Sequence, residues 1–191
     1  MAAENPDPWT QVVTPGGLAA DEVISTLQKS IRRNLVENAV LCAHEMWATG
    51  EELEQYLWDR LQVIAVEDVG PGRPHAIVEV VAAATARLRH ELASHDRFLF
   101  AVHAVRHLAE APKDRSTDEL ATWIRRQAAR GAVPEVFDAA LNMHTRRGRG
   151  MGRGFAHFFM EGARTRPESD DRNLRWRRLL LDDEGIEPEE K

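Results

Sequence analysis

Cysteine is nearly absent from this sequence, since Cys42 is the single one among 191 residues. One cysteine forms no internal disulfide, which favours a reducing, cytoplasmic compartment. The first residues, MAAENPDPW, contain neither the basic nor the apolar segment of a secretory signal peptide. No apolar run approaches the roughly 20 residues that span a bilayer. These absences argue against a secreted or membrane protein, so we expect a soluble cytoplasmic one.

A large excess of positive charge is absent as well. The formal net charge is −6, with 43% hydrophobic and 29% charged residues. Such a chain is no general binder of nucleic acid, so any contact with DNA would need a local basic patch. Prolines and the Pro15-Gly16-Gly17 turn predict a flexible leader over residues 1–17. A helical domain is expected over 18–163 and a charged tail over 164–191.

The sustained alternation of apolar and polar residues that marks strands is absent too. Apolar residues instead recur every three or four positions, as at Leu53, Leu57 and Leu61. The pattern predicts an all-α fold, a single helical bundle. Glycine, proline and capping residues divide it into these expected helices: one from Leu18, 34–48, one from Glu51 to before Gly70, one from Pro74, one from Asp96, 117–130 after a Ser116–Glu119 capping box, 134–143 and 173–181.

Residues 144–157, HTRRGRGMGRGFAH, hold four glycines and four arginines. A nucleotide-hydrolysing P-loop needs a glycine followed by lysine and then serine or threonine, and this segment has none. A dinucleotide-binding loop follows a strand, and no strand is predicted here. We therefore expect no nucleotide cofactor and no ATP hydrolysis by this chain.

Histidines offer the nearest approach to a metal site. His103 and His107 are four residues apart on a predicted helix, and His95-Asp96 is a dipeptide found in helical metal phosphohydrolases. No HExxH motif and no third ligand at a telling spacing accompany them. The pattern favours an ordinary amphipathic helix without a metal. A helical metal-dependent hydrolase remains a third hypothesis.

Two neighbouring carboxylates, Glu67 and Asp68, close a predicted helix. Acidic side chains near a helix C-terminus are unfavourable by about 0.3–1 kcal/mol. A partner is therefore expected, either an arginine or the backbone amides of the turn that begins at Gly70. A structural ion pair is the favoured interpretation over acid–base catalysis.

Four segments in order resemble one family. These are LQKSIR (27–32), RLQVIAVEDVG (60–70), LAEAPK (108–113) and GMGRGFAH (150–157). Segment 60–70 is similar to that family's RLxxIAxEDVG, segment 108–113 to its YLAxAPK and segment 150–157 to its GYGKGYxYAH ending. The family is RarA/MgsA, bacterial relatives of the Werner-helicase-interacting AAA+ ATPases, and the resemblance covers roughly residues 20–160, its C-terminal part only.

The resemblance implies a post-ATPase helical domain, related to the clamp-loader collar, that assembles tetramers in DNA replication and repair. The sequence has no AAA+ module, so a non-enzymatic assembly domain is the leading hypothesis. Its implied partners are copies of itself, as a tetramer or a dimer, and a separate AAA+ ATPase or replication protein. The family's motif residues would have structural roles: Glu67, Asp68, Gly70, Pro112, Lys113, Gly150, Gly152, Gly154 and His157.

The resemblance implies that the Gly-Arg segment is a structural ending that turns the chain back onto the bundle. Phe155, Phe158 and Phe159 would anchor it, although the family has an aspartate and a tyrosine at the last two positions. The arginines of the segment also suggest a second hypothesis, a small DNA-binding accessory protein. The contact residues would then be Arg146, Arg147, Arg149 and Arg153.

Two tryptophans suggest an interface. Trp47 and Trp58 do not fall cleanly on the inward stripes of their predicted helices. Large aromatics off the core face are enriched at protein interfaces, although a second core layer also explains them.

Overall fold

The computed structural model describes residues 7–186 and divides the chain into two compact units, Met1–Arg130 and Gly131–Lys191. No β-strand occurs among the described residues, which contain one isolated bridge between Val13 and Ala19. The all-α fold is confirmed. The boundary at Gly131 lies inside the domain that the sequence predicts over residues 18–163.

The first unit, over its described residues, contains six α-helices. They are α1 (Ala20–Arg32), α2 (Val36–Thr49), α3 (Glu51–Ile64), α4 (Ala76–Ala86), α5 (His95–Glu110) and α6 (Ser116–Ala129). Helix α3 continues as a π-helical turn, Ala65–Val69, and a 3₁₀ turn, Gly70–Gly72. Helix α2 packs against α1, α3 and α5, and α4 packs against α5. Helices α1–α5 therefore form the bundle.

Local chemistry explains some of the helix ends. Gly50, with φ of 145°, separates α2 from α3, as the sequence predicts. Ser94 caps α5 by accepting a hydrogen bond from the Arg97 amide at 3.2 Å. The capping box predicted for α6 does not form. Instead, Oδ1 of Asp114 accepts from the Ser116 amide at 2.9 Å.

Of the two explanations for Trp47 and Trp58, an interface or a second core layer, the structure supports the second core layer. Trp58 is fully buried, and its Nε1 donates to Glu54 Oε1 at 3.2 Å. Trp47 is partly buried, donates to the Leu92 carbonyl at 2.7 Å and stacks on Phe98. Helix α3 contacts α1 and α2 as well as α4 and α5, so its side chains are buried on two sides. A second core layer explains both tryptophans.

Residues 7–17 of the predicted flexible leader contact helices α2 and α3. Residues Pro8–Gln11 form a 3₁₀ turn, and the Trp9 ring lies 5.1 Å from that of Tyr56. The Gly16 amide donates to Glu45 Oε2 on α2 at 2.8 Å. Residues 7–17 thus belong to the first unit because an aromatic contact and a charged hydrogen bond hold them. Residues 1–6 lie outside the described residues.

The second unit has shorter elements. They are a 3₁₀ turn at Asp138–Ala140, α7 (Arg146–Gly150), α8 (Phe155–His157), a π-helical turn at Phe158–Gly162 and α9 (Arg175–Asp183). The helix predicted over 134–143 is wrong except for the 3₁₀ turn, whereas the one predicted near 173–181 is confirmed as α9. The predicted tail thus contains a helix, and residues 187–191 of it lie outside the described residues. None of the helices in residues 7–186 combines the length and apolar character needed to cross a bilayer.

Candidate functional site

Residues of the first and second sequence motifs meet at the carboxylate of Asp68. Arg115, two residues beyond the third motif, lies at the same carboxylate. Asp68, in the π-helical turn after α3, is completely buried. Its Oδ1 accepts a hydrogen bond from Arg32 Nε at 2.6 Å and its Oδ2 accepts from Gln28 Nε2 at 2.9 Å. Arg115, at the start of α6, places its Nε 3.3 Å from the same Oδ1. Helix α1 and the base of α6 are therefore joined through a single side chain.

Neighbouring groups extend this Asp68 cluster. Glu67 Oε1 lies 3.3 Å from Arg32 Nη2 and 3.5 Å from Arg115 Nη2. Arg60 Nη2 donates to Gln28 Oε1 at 2.7 Å, so Gln28 links Arg60, the first residue of the second motif, to Asp68. The basic partner predicted for Glu67 and Asp68 is thus an arginine. Two are present, Arg32 from α1 and Arg115 from the start of α6. Both carboxylates are engaged with cations, an arrangement that holds helices together.

The third motif ends α5 and leads into α6. Lys113 donates from its Nζ to the carbonyls of Ala109 and Ala111, at 2.8 and 2.5 Å. These are carbonyls at the helix terminus, which have no intrahelical partner. Burial lowers the pKa of Lys113 below its ordinary value of 10.5. Pro112 lies between these groups, where a further helical turn is excluded.

Glycines let the second and third motifs approach backbone to backbone. The Asp114 amide donates to the carbonyls of Asp68 and Val69 at 3.1 and 3.2 Å. A Cβ on Gly72 would lie 2.7 Å from the Pro112 carbonyl oxygen, and one on Gly70 would lie 2.5 Å from that of Asp114. Gly70 also has φ of 47°, in the left-handed region. The two motifs together fix the start of α6.

Helix α6 buries none of its own side chains. It packs against the turns Ala65–Val69 and Gly70–Gly72. Leu120, Trp123 and Ile124 are 58%, 56% and 50% exposed, and their spacing places them on one helical face. A contiguous apolar face in solvent is typical of an interaction site. The α6 face, defined by these three residues, is the candidate site. The Asp68 cluster holds the start of the helix that carries it.

A second buried carboxylate was missed by the sequence reasoning. Glu54 on α3 is 1% exposed, with Arg97 Nη2 at 2.7 Å from Oε2 and Arg87 Nε at 2.8 Å from Oε1. Burial raises the pKa of Glu54, but the hydrogen bonds from Arg97 and Arg87 lower it by more, so it lies below the ordinary range. The available signal was the position of Glu54, three residues before Leu57 on the inward stripe.

The Gly-Arg segment is a packed turn within the second unit. Gly148 is buried, and a Cβ there would overlap the backbone of Asn142. Thr145 Oγ1 caps α7 by accepting from the Gly148 amide at 3.0 Å. Arg153 donates to both carboxylate oxygens of Asp138 at 2.7 and 2.8 Å and to the Leu141 carbonyl. The side chain of Arg153 is only 17% exposed, so it holds the turn together.

The other arginines of this segment are more exposed than Arg153. Arg146 and Arg147 are exposed on α7, and Arg149 donates from Nη1 to the Met143 carbonyl at 3.1 Å. Among the predicted structural residues, Gly152 has φ of 73°, whereas a Cβ on Gly150 or Gly154 meets nothing within 4 Å. His157 is partly buried. Phe159 joins the aromatic residues, 4.4 Å from Phe155 and 5.1 Å from Phe158 between ring centres.

The histidines have ordinary partners. The rings of His103 and His107 are 6.0 Å apart, and His107 Nε2 contacts Glu79 Oε2. Asp96, in the first turn of α5 after His95, lies 3.9 Å from His90. Within residues 7–186 no three His, Cys, Asp or Glu side chains are grouped to hold a metal ion.

Comparison with known families settles the relationship that the motifs indicate. Residues 36–168 match the family described as MgsA AAA+ ATPase C terminal. The chain belongs to this family. The MgsA C-terminal match includes the second, third and fourth motifs, and the first, residues 27–32, precedes it. Among curated proteins no match was found. The C-terminal domain of MgsA is helical, which agrees with the all-α fold of this chain.

Proposed function

We propose that this chain is a non-enzymatic assembly domain of the MgsA type, which acts in DNA replication or repair through protein contacts. The observation that carries the proposal is the α6 face. Three large apolar side chains are exposed on a helix whose base is fixed by two motifs shared with the family. Apolar burial is the main favourable term in protein association, so this arrangement suits binding.

The Asp68 cluster supports binding over catalysis. Asp68 is buried and accepts hydrogen bonds on both carboxylate oxygens, and Glu67 pairs with Arg32 and Arg115. A general acid or base must reach the proton that it transfers, and both groups are instead directed at the guanidinium groups of Arg32 and Arg115. The motif residues therefore hold α6 in place.

The partners in this proposal are copies of the chain, as a tetramer or a dimer, together with an AAA+ ATPase or a replication protein in the cytoplasm. The support is the family, whose C-terminal domain accompanies an ATPase. The tetramer is inferred from the resemblance to the family whose C-terminal domain is related to the clamp-loader collar.

Light scattering coupled to size exclusion at micromolar concentration tests the assembly. We expect a species of about four times the 21.6 kDa of one chain, stable in moderate salt because apolar burial holds it. A mass of 21.6 kDa under these conditions would contradict the proposal.

An ATPase assay tests the absence of catalysis. The chain should not hydrolyse ATP, because its glycine-rich segment lacks the lysine of a phosphate-binding loop. Stoichiometric turnover that survives repeated purification would overturn the non-enzymatic assignment.

A nucleic-acid contact is the second candidate, favoured by the exposure of Arg146 and Arg147. Retention on a DNA column that falls steeply with salt would support it. The double variant Arg146→Ala/Arg147→Ala should then elute earlier than the matched variant Arg33→Ala/Arg89→Ala, which removes two exposed arginines of the first unit. Equal elution of both variants and the unaltered chain argues against this candidate.

A further inference from the structure

We propose that α6 pairs with α6 of a second copy in antiparallel orientation, with the α6 face as the seam. Glu119 of each copy would form ion pairs with Arg126 and Arg130 of the other. This inference rests on the proposed assembly function and adds to it the surface, the occupant and the orientation.

The first step is the shape of the surface. Leu120, Trp123 and Ile124 follow the i, i+3, i+4 spacing, and half-buried Gln127 continues the same stripe one turn later. The helix has 14 residues, about four turns, so a second helix laid along it covers the whole stripe. The seam is narrow and central, the form that suits helix-on-helix packing.

The second step is the distribution of charge. The first turn of α6 carries Asp118 and Glu119, and its second half carries Arg125 and Arg126, followed by Arg130. A parallel pair would place like charges side by side. An antiparallel pair places the acidic end of each helix beside the basic end of the other, and it also opposes the two helix dipoles. A twofold interface requires such self-complementarity.

The third step is the position of the charges around the helix. At about 100° per residue, Glu119, Arg126 and Arg130 fall about 80–120° from Leu120, all on one side of it. They line the same edge of the seam. Asp118 and Arg125 fall on the far side of the helix, and Asp118 is paired with Arg115 at 2.5 Å.

The register follows from the two previous steps. If the twofold axis lies between Trp123 and Ile124, Trp123 faces Ile124 of the second copy and Leu120 faces its Gln127. Glu119 then lies opposite position 128, between Arg126 and Arg130 of the second copy. The same alignment therefore satisfies the apolar seam and the ion pairs, which is why the geometry points to a second copy as the occupant.

Charge reversal tests the pairing. We expect Glu119→Arg alone, and Arg126→Glu/Arg130→Glu alone, each to weaken self-association at least about tenfold, because like charges then meet along the seam edge. A mixture of the two variants should restore association as a mixed species. Trp123→Asp should lower the mass of the assembled species, and Arg125→Glu, off the seam, is the matched control.

Light scattering separates this inference from the proposed function. If the unaltered chain is monomeric, both fall. If it assembles and the three seam variants keep its mass while remaining folded by circular dichroism, the α6 pairing is overturned and the assembly function stands. If each charge variant weakens association but the mixture does not restore it, the antiparallel orientation is wrong.

Discussion

Helices α1–α5 and helix α6 differ in how far they bury their large aromatic and aliphatic side chains. Trp58 and Leu57 on α3 are 0% exposed, whereas Trp123 and Leu120 on α6 are 56% and 58% exposed. Helix α3 contacts four other helices of the bundle, whereas α6 packs against two short turns at its base. The bundle encloses the apolar core, although Leu41 and Val78 stay exposed on it, whereas α6 buries none of its side chains.

The difference separates two kinds of stabilisation. Full burial of a large apolar side chain contributes about 1.5–3 kcal/mol, and the bundle obtains this on folding. In the proposed assembly the α6 face would obtain it only on association, so its contribution to stability would depend on protein concentration. Substitutions in the bundle should therefore change unfolding at any concentration, and substitutions in the α6 face should change assembly.

The sharpest test of the bundle is Glu54→Ala. Removing this carboxylate leaves Arg87 and Arg97 buried without their partner, which typically costs about 3–5 kcal/mol of the free energy of unfolding. Glu52→Ala, at an exposed position on the same helix, should cost about 0–1 kcal/mol. Urea denaturation measures both. Equal midpoints for the two variants would show that the bundle does not depend on the Glu54 network.

Acid should weaken the bundle through the same residue. A carboxyl whose folded pKa is lowered contributes stability above its unfolded pKa, here 4.5, and loses it as the pH falls through the folded pKa. The free energy of unfolding should therefore decrease as the pH falls below about 4.5, and Glu54→Gln should show a shallower decrease. Denaturation series from about pH 6 to about pH 3 compare the slopes. Identical slopes would assign the acid sensitivity to other carboxyls.

The base of α6 is tested by Gly72→Ala. A Cβ there would lie 2.7 Å from a backbone oxygen of Pro112, so the two motifs would have to separate. Overpacking of this kind costs about 1–3 kcal/mol. Gly150→Ala is the matched control because a Cβ at that position meets nothing within 4 Å. Thermal unfolding should separate the two variants, and a Gly72→Ala protein as stable as the control would mean that the turn adapts freely.

Asp68→Ala probes the same base through charge. Its arginine partners are about one third exposed, so water replaces part of what is lost, and we expect about 1–3 kcal/mol instead of the full cost of a buried pair. Glu67→Ala should cost about 0–1 kcal/mol because Glu67 itself is partly exposed. If both variants unfold like the unaltered chain, the cluster does not stabilise the base of α6.

The sequence predicts local features of this molecule well. The breaks at Gly50 and Gly70, the helix near residue 175 and the arginine partner of Asp68 all follow from residue-level chemistry, such as capping and charge at helix ends. The motif resemblance identifies the family, which the match over residues 36–168 confirms. Each of these features depends on neighbouring residues or on an ordered set of short motifs.

What the sequence misses depends on contacts between distant segments. Helical periodicity indicates one inward face, so it cannot show that α3 is buried on two sides and encloses Trp58 and Glu54. It also predicts the same burial for the stripe of α6, where Leu120 and Trp123 are exposed. The contact of Trp9 with Tyr56 joins residues 47 positions apart, which no local pattern reveals.

The smallest effect is expected at the joint between the bundle and α6, for Lys113→Met. Lys113 satisfies two carbonyls at the end of α5, but burial lowers its pKa, so the gain from its hydrogen bonds is partly offset by desolvation. The net loss should be about 0.5–1.5 kcal/mol, the usual contribution of a hydrogen bond. Lys29→Met, whose exposed side chain bonds to Ser25, is the control. Lys113→Met could keep its unfolding midpoint but lose assembled mass in light scattering. That result would mean that Lys113 sets the direction of α6, so that the end of the bundle also controls assembly.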